Sequence, residues 1–156
     1  MGGMSYATPQ HLAARYSEAE LRQTTDQYAQ AVDEGRLQTA LDDAQDEMDG
    51  YLAGRYQLPL MDLDGAPLVP PLALVRINCD IAMYRLQTMR PADDVKDARR
   101  RYDDAIALLK SYRNGEAELA GAALVLVQTG GGVGGGAVEF NIPAEPPYSP
   151  FARSER

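Results

Sequence analysis

Apolar residues recur along the first three quarters of this chain with a helical period. Leu37, Leu41, Ala44, Met48 and Leu52 follow one another at spacings of four and three, which places them on one stripe of a helix. Asp42, Asp43, Asp46, Glu47 and Asp49 occupy its other faces. Beyond Pro70-Pro71 the pattern thickens into two adjacent stripes, Leu74, Ile77, Ile81 and Tyr84 beside Val75, Cys79, Ala82 and Leu86. A helix apolar around most of its circumference must be surrounded by other elements, so Leu72 to about Met89 is expected to be the central helix. Val95, Ala98, Tyr102, Ala105, Leu109 and Tyr112 give a third stripe, on a helix capped by Asp93 or Asp94 and stopped at Asn114-Gly115. Asp97 and Arg101 stand at a stabilising i, i+4 spacing on it.

Two shorter helices are expected upstream. Thr8-Pro9 opens one that runs to about Tyr16, with Pro9 at the first helical position where no amide donor is needed. Ser17-Glu18-Ala19-Glu20 has capping-box spacing and opens the second, to about Asp26. Gly35 punctuates the chain before the acidic helix, and Leu58-Pro59 predicts an extended exit after it.

Past Gly121 the pattern changes. Ala122 to Val127 is short, apolar and β-branched at its odd positions, and Ala137 to Ile142 alternates, so the pair predicts a β-hairpin around the glycine-rich run Gly130 to Gly136. From Pro143 onward prolines exclude regular structure, leaving an extended arm. The expected fold is therefore mainly α. A helical domain of two short and three longer helices covers 6–121, the glycine-rich hairpin 122–142, and the proline-rich arm 143–156.

Composition adds exclusions. A net charge of −8 argues against a protein that grips nucleic acid through clustered Lys and Arg. The single cysteine, Cys79, cannot form an internal disulfide and sits in an apolar helical stretch, as a structural thiol would. The single histidine, His11, excludes a multi-histidine metal cluster within the chain. No secretory signal pattern opens the sequence, and Ala122–Val127 is far shorter than the roughly 18 apolar residues of a membrane span. The expectation is a cytosolic product.

Little in the sequence resembles a reactive site. Gly130, Gly132 and Gly135 satisfy G-x-G-x-x-G, but a strand-like segment follows where a phosphate site needs a helix N-terminus, and a flexible loop is the better reading. Asp42 with Asp46, and Asp43 with Glu47, share helix faces without the alternating loop pattern of a Ca²⁺ site. A solvated or pore-facing acidic surface is expected instead. Arg99-Arg100-Arg101 is interleaved with Asp97, Asp103 and Asp104, which suits ion pairs between subunits better than phosphate contact. No catalytic residue, cofactor site or metal site is assigned.

Several motifs, in order, resemble the Mu-like phage head–tail connector family. They are Tyr6-Ala7-Thr8-Pro9, Ala40-Leu41-Asp42-Asp43-Ala44, Met48-Asp49-Gly50-Tyr51-Leu52-Ala53-Gly54-Arg55-Tyr56 and Leu58-Pro59-Leu60. Pro70-Pro71-Leu72, Cys79-Asp80-Ile81-Ala82, Tyr84-Arg85-Leu86 and Arg90-Pro91 continue the series. The likeness covers about Tyr6 to Gly121 and fades beyond it. It implies a non-enzymatic adaptor in the virion neck, assembled in the host bacterial cytoplasm as a ring, twelvefold in expectation. The ring would dock on the portal protein, meet a tail-terminator or stopper protein, and let genomic DNA pass through its lumen without specific binding or any membrane.

Within that reading Asp42, Asp43 and Asp46 are expected to line the lumen, where like charge repels DNA. Tyr148 and Phe151, with Pro146 and Pro147, are expected to anchor the arm on the portal or a neighbouring subunit. The alternatives are another neck component, such as a stopper or tail-completion protein, and a nucleotide-binding regulatory protein that uses the glycine run.

Overall fold

The computed structural model describes residues 5–25, 28, 31–88 and 95–125. These fall in one compact unit ending at residue 126, and residues 127–156 lie outside them. Among the described residues five helices follow one another: α1 (Pro9–Ala13), α2 (Glu18–Thr25), α3 (Glu34–Leu52), α4 (Leu72–Thr88) and α5 (Lys96–Asn114). Two short helices followed by three longer ones is the order that the apolar periodicity predicts.

Local chemistry sets several of the ends. The Ser17 hydroxyl accepts the Glu20 N–H at 3.2 Å, starting α2 as its capping-box spacing requires. Asp33 caps α3 by accepting the Arg36 N–H at 3.1 Å, so Gly35 lies inside the first turn and not ahead of it. The expected caps Asp93 and Asp94 lie outside the described residues. α5 ends on Gly115, whose φ of 79° is the left-handed conformation that L side chains avoid. A Cβ there would also fall 2.5 Å from the Arg55 guanidinium.

α4 packs against each of the other four helices. Leu74, Val75, Ile77, Cys79, Ile81, Ala82, Met83 and Leu86 are buried on it, so the central position read from its two stripes holds. α3 contributes Leu37, Ala40, Leu41, Ala44, Met48 and Leu52. α5 contributes Ala98, Ala105, Leu109 and Tyr112 as its stripe predicts, together with Ile106. Tyr102, expected to point inward, is only half-buried.

The C-terminal β-hairpin is not supported, and among the described residues there is no sheet. Ala122–Val125 is extended, but it runs antiparallel beside the α3–α4 connection, with isolated bridges Tyr56 to Leu124 and Asp62 to Ala122. The Gln57 N–H donates to the Ala123 carbonyl at 3.1 Å, and the Val125 N–H to that of Arg55 at 2.8 Å. The expected second strand, Ala137–Ile142, lies outside the described residues. A two-stranded hairpin alone is marginal in water, whereas pairing on the helical body buries Ala122 and Leu119 at the same time.

Tyr56 holds this connection in place. Its ring is buried, and its hydroxyl accepts the buried Leu119 N–H at 3.2 Å. Tyr56→Phe keeps the ring but strands that donor, so unfolding in urea is expected at a lower midpoint, with a loss of about 1–3 kcal/mol and an unchanged slope. An unchanged midpoint would show that the hydrogen bond contributes nothing.

Candidate interaction surfaces

Four features stand out on the helical body, and the first ties its three long helices together. Glu47 on α3 is half-buried and accepts the Tyr102 O–H from α5 at 2.6 Å and Arg85 Nη2 from α4 at 2.7 Å. Tyr102 stacks on Tyr84 with ring centroids 4.5 Å apart and planes 26° from parallel. The hydrogen bond to Glu47, with burial behind it, pushes the Tyr102 phenol up to about 12. The acidic pattern of α3 is therefore divided. Glu47 is structural, while Asp42, Asp43 and Asp46 are exposed on the outer face. Of these, Asp42 accepts an N–H from Gln38 at 2.8 Å.

The second feature is the fastening of the N-terminal segment. The Tyr6 N–H donates to Gln45 Oε1 at 3.2 Å, and the Tyr6 hydroxyl donates to Asp49. Burial raises the Asp49 carboxyl above its ordinary value, the Tyr6 hydrogen bond works against that, and nearby Asp46 adds to it. The Tyr6 phenol is raised as well, first by burial and then by Asp49.

A cleft of about 400 Å³ is the third, lined by Arg15, Tyr16, Arg76, Asp80, Arg101 and Asp104 where the end of α1 meets α4 and α5. Tyr16 donates to Asp80 Oδ1 at 3.1 Å, and Arg76 Nε stands 3.7 Å from the other Asp80 oxygen. The Arg101 guanidinium lies 5.8 Å from the centre of the Tyr16 ring, a cation–π distance. Burial raises the Asp80 carboxyl against the pull of Tyr16 and the three arginines. Within the Arg99–Arg101 run, Arg99 pairs with Asp103 at 3.9 Å on the same helix, and Arg101 serves the cleft.

The fourth is apolar. Among the described residues, all the large apolar side chains left exposed except Tyr28 lie on the α3–α4 connection, the first residue of α4 and the segment paired with them. Leu63, Val69 and Leu72 are 80%, 77% and 79% exposed, and Leu124 and Val125 join them. A nearby groove of about 350 Å³ is lined by Tyr56, Leu63, Leu119, Ala122 and Leu124 among others. No periodicity argument finds these residues, because all but Leu72 lie outside the helices.

Reactive chemistry is sparse among the described residues. Burial pushes the Cys79 thiol up to about 11, which keeps it protonated at neutral pH. His11 Nδ1 accepts the Thr8 N–H at 3.0 Å and thereby closes the first turn of α1. No group of His, Cys, Asp and Glu among those residues is arranged to hold a metal, and no helix among them is long and apolar enough to cross a membrane. The glycine run and the anchors Pro146, Pro147, Tyr148 and Phe151 lie outside the described residues.

Comparison with known proteins places this small helical body among phage proteins. The chain belongs to the family described as Bacteriophage Mu, Gp36, whose model matches residues 6–133. It is 37% identical over 115 residues to the Mu-like prophage FluMu protein gp36 of Haemophilus influenzae, covering 73% of this chain and 74% of that one. It is 32% identical over 120 residues to Gene product J of Escherichia phage Mu, covering 74% and 76% respectively. The resemblance drawn from the motifs is thus correct as to a Mu-like phage protein, while the connector role it implied is not given by these names.

Asp49 supplies a pH test. Because its carboxyl is raised by folding, the protonated form is favoured in the folded state. That contribution is fully present below the ordinary value of 3.8 and is lost as pH rises through the raised folded value. Asp49→Asn keeps an acceptor for Tyr6 and removes the titration. Its urea midpoint, relative to the parent protein, is expected to rise between about pH 4 and about pH 7. A difference that falls over that range would refute the assignment.

Proposed function

We propose that this phage protein is a structural subunit of the head–tail connector. Copies assemble as a ring in the virion neck, dock on the portal protein, and join the DNA-filled head to a stopper or tail terminator. Genomic DNA passes through the ring without specific binding, and the protein performs no catalysis and uses no cofactor.

The observation that carries this reading is the set of exposed apolar side chains on the α3–α4 connection, the start of α4 and the segment paired with that connection. Leu63, Val69 and Leu72 are largely exposed, and Leu63 lines one groove with Leu124, in a chain of a Mu-phage family. Several large apolar side chains left in water along one connection and its paired segment are characteristic of a surface that another protein covers. Two further features support it. The net charge of −8 suits a wall that does not retain DNA, and the motifs resembling connector proteins fall largely on α3, its exit and α4. The proline-rich arm with Tyr148 and Phe151 supplies further anchors for docking.

The test is tail joining. Phage lacking this chain should accumulate DNA-filled heads and free tails, and the purified protein should restore attachment. Protein truncated after Ile142, which lacks Pro146, Pro147, Tyr148 and Phe151, should fail to restore it. Leu63→Asp with Val69→Asp should lose capture of purified portal protein, while stability shifts by no more than about 0.5 kcal/mol because both side chains are exposed. Intact, infectious virions formed without the chain would overturn the proposal. Capture of a tail terminator in place of the portal would make the protein a stopper or tail-completion component.

A further inference from the structure

We propose that the arginine-lined cleft between α4 and α5 receives the acidic outer face of α3 from a second copy of this chain, so that copies join head to tail. The inference rests on the ring reading above and assigns the two surfaces that would form its joint.

The placement of these surfaces follows from helix geometry. Asn78 Nδ2 donates to the Leu41 carbonyl at 3.2 Å, which fixes the side of α4 that meets α3. At 3.6 residues per turn, Arg76 and Asp80 each lie about 200° around α4 from Asn78, on the side facing away from α3. On α3, Leu41, Ala44 and Met48 are buried. Asp46 lies about 200° from both Ala44 and Met48, while Asp43 stands at the edge of that outer face, where it lines a cleft with Arg36 and with Arg85 and Leu86 of α4. Asp46 and the arginine-lined cleft therefore occupy opposite sides of the α3–α4 pair, and Asp43, at the edge of the outer face, lies outside that cleft as well. One molecule cannot bring them together, but two molecules can. A contact between two different patches propagates from copy to copy and closes when the rotation allows.

The charges match. α3 carries six acidic residues against Arg36 alone, whereas α5 carries six basic residues against three acidic ones. In the cleft Asp80 is occupied by Tyr16 and Arg76. Asp80 and Asp104 together answer only part of the charge of Arg15, Arg76 and Arg101. Asp43 and Asp46 stand three apart on one helix, about 5–6 Å between their Cβ atoms, and so present two carboxylates side by side. Guanidinium groups bind carboxylates in planar, paired fashion, and Arg15 and Arg101, which act on Asp80 at longer range than the Arg76 ion pair does, are the arginines placed to take them. The cleft, at about 400 Å³, admits such side chains and not a helix. On this assignment Asp43 and Asp46 face a neighbouring subunit and not the lumen.

Two charge-reversed variants test it, with self-association of the full chain followed by analytical ultracentrifugation. Arg15→Glu with Arg101→Glu makes both surfaces acidic, and Asp43→Lys with Asp46→Lys makes both basic. Each should fail to self-associate alone, while an equimolar mixture should assemble, because every unlike pair is again complementary. Circular dichroism of each variant checks that it is folded, and rescue in the mixture cannot come from misfolded chains. Assembly of the unaltered chain should weaken as salt rises. If both variants assemble alone as well as the unaltered chain does, or the mixture gives no rescue, the assigned surfaces are wrong and the ring reading stands. If the unaltered chain stays a single copy at every concentration and also in assembled particles, the ring reading falls and the joint with it. Asp43→Asn with Asp46→Asn that leaves assembly intact but alters DNA ejection would return these residues to the lumen.

Discussion

A helix with buried side chains on most of its circumference cannot face water, and α4 imposes that condition on the whole body. Its seventeen residues carry nine that are buried. The other four helices are arranged so that each covers part of it. The short helices α1 and α2 are too brief to be stable alone, since isolated helices of that length are marginal in water. They persist because Leu12 and Leu21 are buried against the long helices. Burial of each such side chain contributes on the order of 1.5–3 kcal/mol, enough to hold a short helix that propensity would not.

Around that apolar centre the polar groups are sorted by what they can reach. Glu47 links three helices through one carboxylate, with Tyr102 and Arg85 as its partners. Asn78, at the centre of α4, donates to the Leu41 carbonyl, while its Oδ1 meets no donor among the described residues. A buried amide satisfied on one side costs stability compared with an apolar residue, but it also fixes how α3 sits on α4. The charges that find no inward partner are displayed outside, acidic on α3 and mainly basic on α5. Among the described residues this leaves α3 mainly acidic and α5 mainly basic, with exposed apolar side chains on the α3–α4 connection.

How much of this could be read from residue order depends on the range of the physics involved. The stripes of α3 and α4 were legible because helix burial repeats every three or four residues, and nearly every position they named is buried. The Ser17 cap and the Gly115 stop were legible for the same reason, since each acts within one turn. Gly35 misled because glycine marks a break only when nothing nearby caps the helix, and Asp33 does so two residues earlier. Ala122–Val125 is extended as its composition suggested, but β-propensity does not name a partner. The pairing with Tyr56 and Asp62 depends on where α3 and α5 end in space.

The surfaces were legible only in part. The outward position of Asp42, Asp43 and Asp46 followed from the helical period. The removal of Glu47 from that group did not, because Tyr102 and Arg85 come from helices dozens of residues away. The cleft lined from α4, α5 and the residues after α1, and the groove that Leu63 and Leu124 line from two loops, are likewise products of long-range packing. Residue order alone was sufficient for the helices, their inward faces and the family, because those rest on interactions between near neighbours in the chain. Which charged groups pair, which remain in water, and what the extended segment lies against were settled by the packing of distant segments, because only packing brings those atoms within reach.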